Sequence, residues 1–259
     1  MLKIMQGDCL ELMKDIPDGS VDMILADLPY GTTACKWDTI IPFEPLWEHY
    51  KRIIKPNGAI VLTASQPFTS ALVMSNVKWF KYEWIYGKNS SSNFVVAKSQ
   101  PLKQHENILV FCKGKTVYNP QKEARSESGK ERIKAGYKSN SISGDTLSNI
   151  KTKRMGQVYD ENLKFPSTVQ HFNCKASDAR GLHPTQKPVA LFEYLIKTYT
   201  NEGDLVLDNV AGSGTTAIAA LNTNRNYILM EKEPEYVEII KQRLADHNDK
   251  PARQTKLLP

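Results

Sequence analysis

The chain predicts an α/β fold: a doubly wound, mostly parallel sheet with helices on both faces. Three observations predict it. Short, β-rich apolar runs alternate with stretches whose apolar residues recur at helical spacing. Two of those runs end in an acid followed by a turn, "ADLPYG" from Ala26 and "LDNVAGSG" from Leu207. The 259 residues, 41% hydrophobic and 24% charged, suffice for one full core carrying an insertion.

In chain order the strands are expected at Leu2–Met5, Val21–Ala26, Ala59–Ala64, Asn107–Phe111, Asp204–Asp208 and Asn226–Glu231, each bounded by Gly, Pro or Asp. Helical spacing covers Phe43–Ile54, Pro188–Thr200, Gly214–Asn222 and Glu233–Asp246. From Lys113 to about Phe172 the alternation stops and the chain turns polar and irregular, around "SESGKERIKAGYKSNSISGD". A stretch of that length inside a compact domain is uncommon unless it is functional or disordered. The chain thus divides into 1–112, an insertion 113–172, and 173–259, the outer parts belonging to one fold.

The formal charge is +6, and its distribution says more than its sum. Lys113–Arg154 holds 11 Lys and Arg against 4 Asp and Glu, while the remainder carries 23 against 24. Taken alone, such a segment reads either as a solvated loop or as a surface for phosphates. Cys9, Cys35, Cys112 and Cys174 form no CxxC pair, which argues against a zinc site or a disulfide framework and fits a reducing compartment. No metal is expected. No apolar run approaches the roughly 20 residues that span a bilayer. The start, "MLKIMQGDCL", lacks a signal-peptide layout. The expected location is the cytoplasm.

Open parallel sheets bind ligands outside the carboxyl ends of their strands, where Asp27–Tyr30 and Asp208–Gly214 would fall. Leu205–Tyr236 reads as strand, glycine turn, helix and a second strand ending in Glu231. Gly212 and Gly214 permit a sharp turn and a close ligand approach, and a helix N-terminus then faces whatever is bound. Glu231, 19 residues beyond Gly212, is placed to accept from both hydroxyls of a ribose. A nucleoside-containing ligand follows. Gly212-x-Gly214-x-x-Ala217 also satisfies a dinucleotide fingerprint, so a nicotinamide-dependent oxidoreductase is the remote alternative.

The order "ADLPYG", variable insertion, "HPTQKP" and "DNVAGSGTT", together with "GDCLELMKDIPDGSVDMILADLPYG" and "KQHENILVFCKG", resembles the beta-class, circularly permuted DNA amino-methyltransferases. The resemblance covers nearly the whole chain and is weakest between Lys113 and Phe165. It implies a permuted, Rossmann-like methyltransferase fold, S-adenosylmethionine as cofactor, and methyl transfer to the exocyclic N6 of adenine in DNA. Cytosine N4 is the alternative acceptor. Members acting on cytosine tend to carry Ser where this chain has Asp27, which leans toward adenine. Enzymes acting on RNA bases or protein glutamine more often show Asn there and the unpermuted order.

By that resemblance Asp27, Leu28, Pro29 and Tyr30 are the catalytic turn. The Asp27 carboxylate and the backbone carbonyl held by Leu28–Pro29 grip the two amine hydrogens, and Tyr30 offers a stacking face. Holding the reactants in line supplies much of the rate, and chemistry on a base requires taking it out of the duplex. No Pro-Cys dipeptide occurs, so a thiolate mechanism on cytosine C5 has no candidate. For the cofactor, Asp8 and Cys9 border the adenine ring. Thr185, Gln186 and Lys187 lie beneath the carboxylate. Asp208, Ala211, Gly212, Ser213 and Gly214 border the methionine portion, Glu231 meets the ribose, and Asp27 and Thr215 also bind the cofactor. Leu28, where many members have proline, and Val210, where phenylalanine is common, depart from the pattern without removing a polar contact. His105 and His183 read as structural.

With that turn assigned, the basic insertion gains weight as a target-recognition region. Lys122, Arg125, Lys130, Arg132, Lys151, Lys153 and Arg154 form its phosphate-binding pool. The implied partner is double-stranded DNA. The resemblance also leaves room for a homodimer and for a separate restriction endonuclease.

Overall fold

The structure, a computed structural model, describes residues 2–33, 35, 38–135, 160–173 and 186–249. Its strands are β1 (Leu2–Gln6), β2 (Val21–Ala26), β3 (Ile54–Ala64), β4 (Phe80–Ser92), β5 (Lys103–Phe111), β6 (Glu123–Ala124), β7 (Leu163–Lys164), β8 (Val169–Phe172), β9 (Leu205–Asp208) and β10 (Asn226–Glu231). The α-helices are α1 (Cys9–Leu12), α2 (Phe43–Ile53), α3 (Phe68–Ser75), α4 (Glu127–Lys134), α5 (Val189–Tyr199), α6 (Thr215–Asn222) and α7 (Pro234–Asn248).

Eight strands form one sheet in the order β1-β10-β9-β2-β3-β5-β4-β8. The first five are mutually parallel, β5 runs antiparallel between β3 and β4, and β8 is parallel to β4. β1 pairing with β10 makes the two ends of the chain one sheet. The connection from β2 to β3 proceeds one way across the sheet and that from β9 to β10 proceeds the other. The strand order therefore reverses between β2 and β9, and in open α/β sheets the crevice at such a point takes the ligand.

β2 is buried at five of its six positions, as a strand covered on both faces must be. One face packs on Leu46, Trp47, Tyr50 and Ile53 of α2, with Phe68 and Leu72 of α3. The other packs on Leu191, Phe192, Leu195 and Ile196 of α5, with Ala217, Ala219 and Ala220 of α6. Each such side chain, fully buried, contributes about 1.5–3 kcal/mol if it is a Leu, Ile or Phe. The result is three layers with the polar strand ends at one edge.

Besides the short α1 and β8, two longer elements absent from the sequence reading belong to this body: the 13-residue β4 and helix α3. Lys81 and Glu83 expose one face of β4 while Trp84 and Tyr86 bury the other, so the run is too polar to register as a strand. Val169–Phe172, placed by the sequence in the insertion, pairs in register with Ile85–Lys88 of β4.

Pro120–Ser167 forms a compact unit of its own. Within it β6 and β7 pair antiparallel, and Arg125 N–H donates to the Asn162 carbonyl (2.7 Å). The stretch expected to be irregular contains a helix, α4. Ser126 caps it by accepting from Gly129 N–H (3.3 Å), with Glu127 in its first turn and Arg132 and Lys134 in its last.

Candidate active site

The carboxyl ends of the parallel strands bring a row of polar residues to one edge. Following the sheet across, Asp8 and Cys9 come after β1, Glu231 ends β10, Asp208 ends β9, Asp27 follows β2 and Thr63 lies at the end of β3. Neighbours in this row come from distant parts of the chain.

A cavity of about 350 Å³ opens along it, lined by Asp8, Cys9, Asp27–Tyr30, Gln186, Lys187, Asp208–Ser213, Thr215 and Glu231, among others. That volume lies in the range of small-molecule sites. Asp8 caps α1 by accepting from Leu10 N–H (2.9 Å). Cys9 is buried, and burial holds its thiol above the usual range, leaving it a neutral wall. Glu231 accepts from Gly212 N–H (2.7 Å) and Glu233 N–H (2.9 Å), so the acid of one strand fixes the glycine turn of the next. Gly212 takes the left-handed backbone region at φ 51°. Gly214 does not line the cavity. It begins α6 at φ 80°, where a Cβ would approach Ile240 of α7 to 2.9 Å, so its task is to shape and pack the turn.

Asp208 is bonded to the Thr216 hydroxyl and accepts from Val210 N–H (3.1 Å), and burial pushes its carboxyl up to about 7. Beside it Asn209 Oδ1 accepts from the Tyr50 hydroxyl (2.6 Å), while its buried Nδ2, with the Cys9 thiol near its side chain, makes no regular hydrogen bond among the described residues. A donor so weakly satisfied in the wall of a polar cavity fits a ligand with acceptor atoms. S-adenosylmethionine meets this chemistry, its carboxylate and ribose oxygens being acceptors and its amino group a donor to the acids.

Asp27 is held by three groups. The Tyr30 hydroxyl donates to Oδ1 (2.8 Å) and also lies 3.0 Å from Thr63 Oγ1. The Thr63 hydroxyl donates to Oδ1 as well, and Lys187 Nζ donates to Oδ2 (2.6 Å). Lys187 also pairs with Glu106 Oε2 (3.1 Å), and Glu106 Oε1 pairs with Lys88. Burial opposes the Lys187 charge, but Asp27, the Tyr30 oxygen and Glu106 overcome it and hold the ammonium protonated well above the usual range. Burial and the Asp27 charge hold the Tyr30 hydroxyl far above its ordinary value, so it remains a donor. The Tyr30 ring stacks on Phe68 with centroids 5.2 Å apart, and Lys187 Nζ lies 5.7 Å from its centre.

Asp38 fixes the loop after Tyr30. Its carboxylate accepts from Gly31 N–H (2.9 Å), Thr32 N–H (2.9 Å) and Thr33 N–H (2.7 Å). Burial raises its pKa, but the bonds from Thr33, Gly31 and Thr32 outweigh that and hold it below the usual carboxylate value. Sequence reasoning missed Asp38, Thr63, Glu106, Lys88 and Asn209. For Asp38 a signal existed, an acid closing the "GTTACKWD" stretch, whereas the others are recognisable only once the sheet is assembled.

Thr185, His183, Lys151, Lys153 and Arg154 lie outside the described residues. In the separate unit, Lys122 Nζ lies 5.5 Å from the centre of the Phe165 ring, and Arg125 Nε donates to the Asp160 carbonyl (2.8 Å). Lys130 is paired with Glu127 (2.7 Å), and Arg132 is exposed on α4. Part of the basic pool is thus engaged locally.

Residues 21–242 match a family described as DNA methylase. The chain belongs to this DNA methylase family. Among curated relatives, the DNA adenine methyltransferase YhdJ of Escherichia coli (strain K12) is 31% identical over 93% of this chain and 82% of its own. The type II methyltransferase M.BglII of Bacillus subtilis is 29% identical over 95% of this chain and 70% of its own. Of solved structures, the M1.HpyAVI complex with S-adenosylmethionine superposes with a TM-score of 0.64 at 25% identity, over 94% of this chain and 99% of that one. The doubly wound fold expected from the sequence is therefore the fold of S-adenosylmethionine-dependent DNA methyltransferases, and the chain is an enzyme of that kind.

Proposed function

We propose that the protein transfers a methyl group from S-adenosylmethionine to the exocyclic N6 of adenine in double-stranded DNA, on a base turned out of the duplex. The observation that carries this reading is Asp27 itself. It is an acid at the end of β2, beside the cavity, held in one orientation by Tyr30, Thr63 and Lys187.

An exocyclic amine lends its lone pair to the ring, so it is a poor nucleophile until its hydrogens are held out of the ring plane. Asp27 and the backbone carbonyl at Leu28–Pro29 are the acceptors for those hydrogens. The Leu28 side chain is buried in the core, so its contribution is the backbone it anchors. Bound S-adenosylmethionine supplies a methyl carbon whose bond to sulfur breaks as the amine nitrogen bonds to it, the electron pair leaving on sulfur and the nitrogen then shedding a proton to water. Asp8, Cys9 and Glu231 bind the nucleoside end of the cofactor. Asp208, Ala211–Gly212, Ser213, Thr215 and Gln186 bind the methionine end, a role the family resemblance also implies for Thr185, while Gly214 shapes the turn. The fixed position of Asp27 against that cavity orients the amine toward the methyl group.

The 120–167 unit, with Lys122, Arg125, Lys130, Arg132, Lys151, Lys153 and Arg154, supplies phosphate contacts on the duplex. A homodimer, a restriction endonuclease on another chain and a cytoplasmic location belong to the same proposal. Among the described residues no helix is long and apolar enough to cross a membrane, and Cys9, Cys35 and Cys112 are free thiols.

The family contains both N6 and N4 enzymes, so the acceptor is decided by its product. Digestion of DNA methylated by the purified protein, followed by nucleoside mass spectrometry, is expected to yield N6-methyladenine. N4-methylcytosine as the product would replace the adenine reading.

A further inference from the structure

We infer that Lys187 and Glu106 are positioning residues that leave one acceptor site of Asp27, on Oδ2, open to the incoming amine. The inference rests on the reading of Asp27 as the amine's acceptor.

A carboxylate oxygen has two lone-pair directions. On Oδ1 both are taken, by the Tyr30 and Thr63 hydroxyls. On Oδ2, among the described residues, Lys187 is the one donor, at 2.6 Å. The second direction on Oδ2 is the acceptor left for a base N–H. This assigns separate roles to atoms that the sequence treats as one acid.

Lys187 would cover that direction too if its ammonium were drawn fully onto Asp27. Glu106 prevents this. Its Oε2 holds the same ammonium at 3.1 Å, and its other oxygen is fixed by Lys88. Glu106 does not line the cavity, so it acts through Lys187. The Lys187 and Glu106 side chains are only 7% and 11% exposed, so water cannot readily take either role. The lysine backbone is anchored from the other direction. Thr215 Oγ1 lies 3.5 Å from its carbonyl, and the neighbouring Gln186 accepts from the Ser213 hydroxyl (2.9 Å). Lys187 thus reaches from the glycine turn to the amine's acceptor, a different task from holding the cofactor carboxylate, which the family resemblance suggested.

The test uses the full-length protein and three variants: Lys187→Met, Lys187→Arg and Glu106→Gln. Calorimetry gives the affinity for S-adenosylmethionine, and tritiated methyl incorporation into unmethylated genomic DNA gives kcat and KM. Lys187→Met is expected to lower kcat about 10–100-fold, and Glu106→Gln about 10-fold, with cofactor Kd and DNA KM within about three-fold of wild type. Lys187→Arg, which keeps the charge, should restore part of the loss. A ten-fold or greater rise in cofactor Kd with kcat unchanged would make Lys187 a cofactor contact and overturn the inference. So would wild-type kcat in Glu106→Gln, an isosteric change that also serves should Lys187→Met fail to fold. If the wild-type protein transfers no methyl group to any DNA, it is the functional reading that fails, and the two outcomes are distinct.

Discussion

Strand β2 carries an aspartate near each end, and each is bonded to a lysine ammonium 2.6 Å away. Asp22, near the start, pairs with Lys55 through Oδ1 and accepts from Leu205 N–H through Oδ2 (2.9 Å). It ties β2 to β3 and β9 at the edge away from the cavity. Asp27, just past the end, takes only side-chain donors among the described residues, and its lysine is 7% exposed where Lys55 is 38% exposed. A buried or half-buried ion pair is therefore no mark of function. What separates the two acids is the cavity beside Asp27, the two donors crowded onto one of its oxygens, and the second carboxylate behind its lysine. The first acid stitches strands together, and the second is kept in a fixed pose with room on one atom.

The sharpest way to break this comparison is to remove each acid in turn. Asp27→Ala is expected to lower methyl transfer at least roughly a thousand-fold while cofactor affinity stays within a few-fold, because the acid is needed only when the amine reacts. Asp22→Ala should transfer within about two-fold of wild type and lose about 1–3 kcal/mol of stability in urea titrations, since Leu205 N–H is left without its partner. Equal losses of activity in both variants would dissolve the distinction.

A smaller effect sharpens it. Tyr30→Phe keeps the ring that stacks on Phe68 and removes the hydroxyl on Asp27 Oδ1. A hydrogen bond to a charged group contributes about 1.5–3 kcal/mol, so kcat should fall about 10–100-fold. Wild-type kcat in that variant would mean that stacking, rather than orientation of the carboxylate, is the contribution of Tyr30.

The smallest effect concerns the neighbouring acid of the row, Asp208, whose carboxyl is pushed up to about 7 by burial. The folded value lies above the unfolded one of about 3.9. Between about pH 4 and pH 7 the native state keeps a proton that the unfolded chain releases, so its contribution to stability is lost as pH rises through that window. In the cofactor-free protein, Asp208→Asn should flatten the pH dependence of the urea midpoint there, by about 1–2 kcal/mol, since the open cavity softens the burial. Parallel curves for the two proteins would contradict the raised value.

The sequence exposed what is local. An acid at the end of an apolar run, a glycine turn, and a second acid closing the next strand are short patterns, and they placed Asp27, Asp208 and Glu231 on one edge. The groups that hold Asp27 were not legible because the sheet brings them from far along the chain. Thr63 arrives on the adjacent strand β3, Glu106 on the antiparallel β5, and Lys187 just before the N-cap of α5. Asp38 stood in plain view in the sequence, but its task is accepting three backbone N–H groups, and no side-chain pattern announces those. In the 120–167 unit, formal charge overstated what is available to a partner, because Lys130 and Lys164 are paired with Glu127 and Glu123.

Whether Asp27 holds the amine through Oδ2 is decided by a crystal structure of the protein with a cofactor analogue and a duplex carrying the motif it methylates, found by sequencing the modified DNA. The target amine nitrogen is expected within about 2.7–3.2 Å of Asp27 Oδ2, with Lys187 still on that oxygen and Tyr30 and Thr63 on the other. A base seated in the cavity with its amine directed away from Asp27, or bound only to Oδ1, would contradict it.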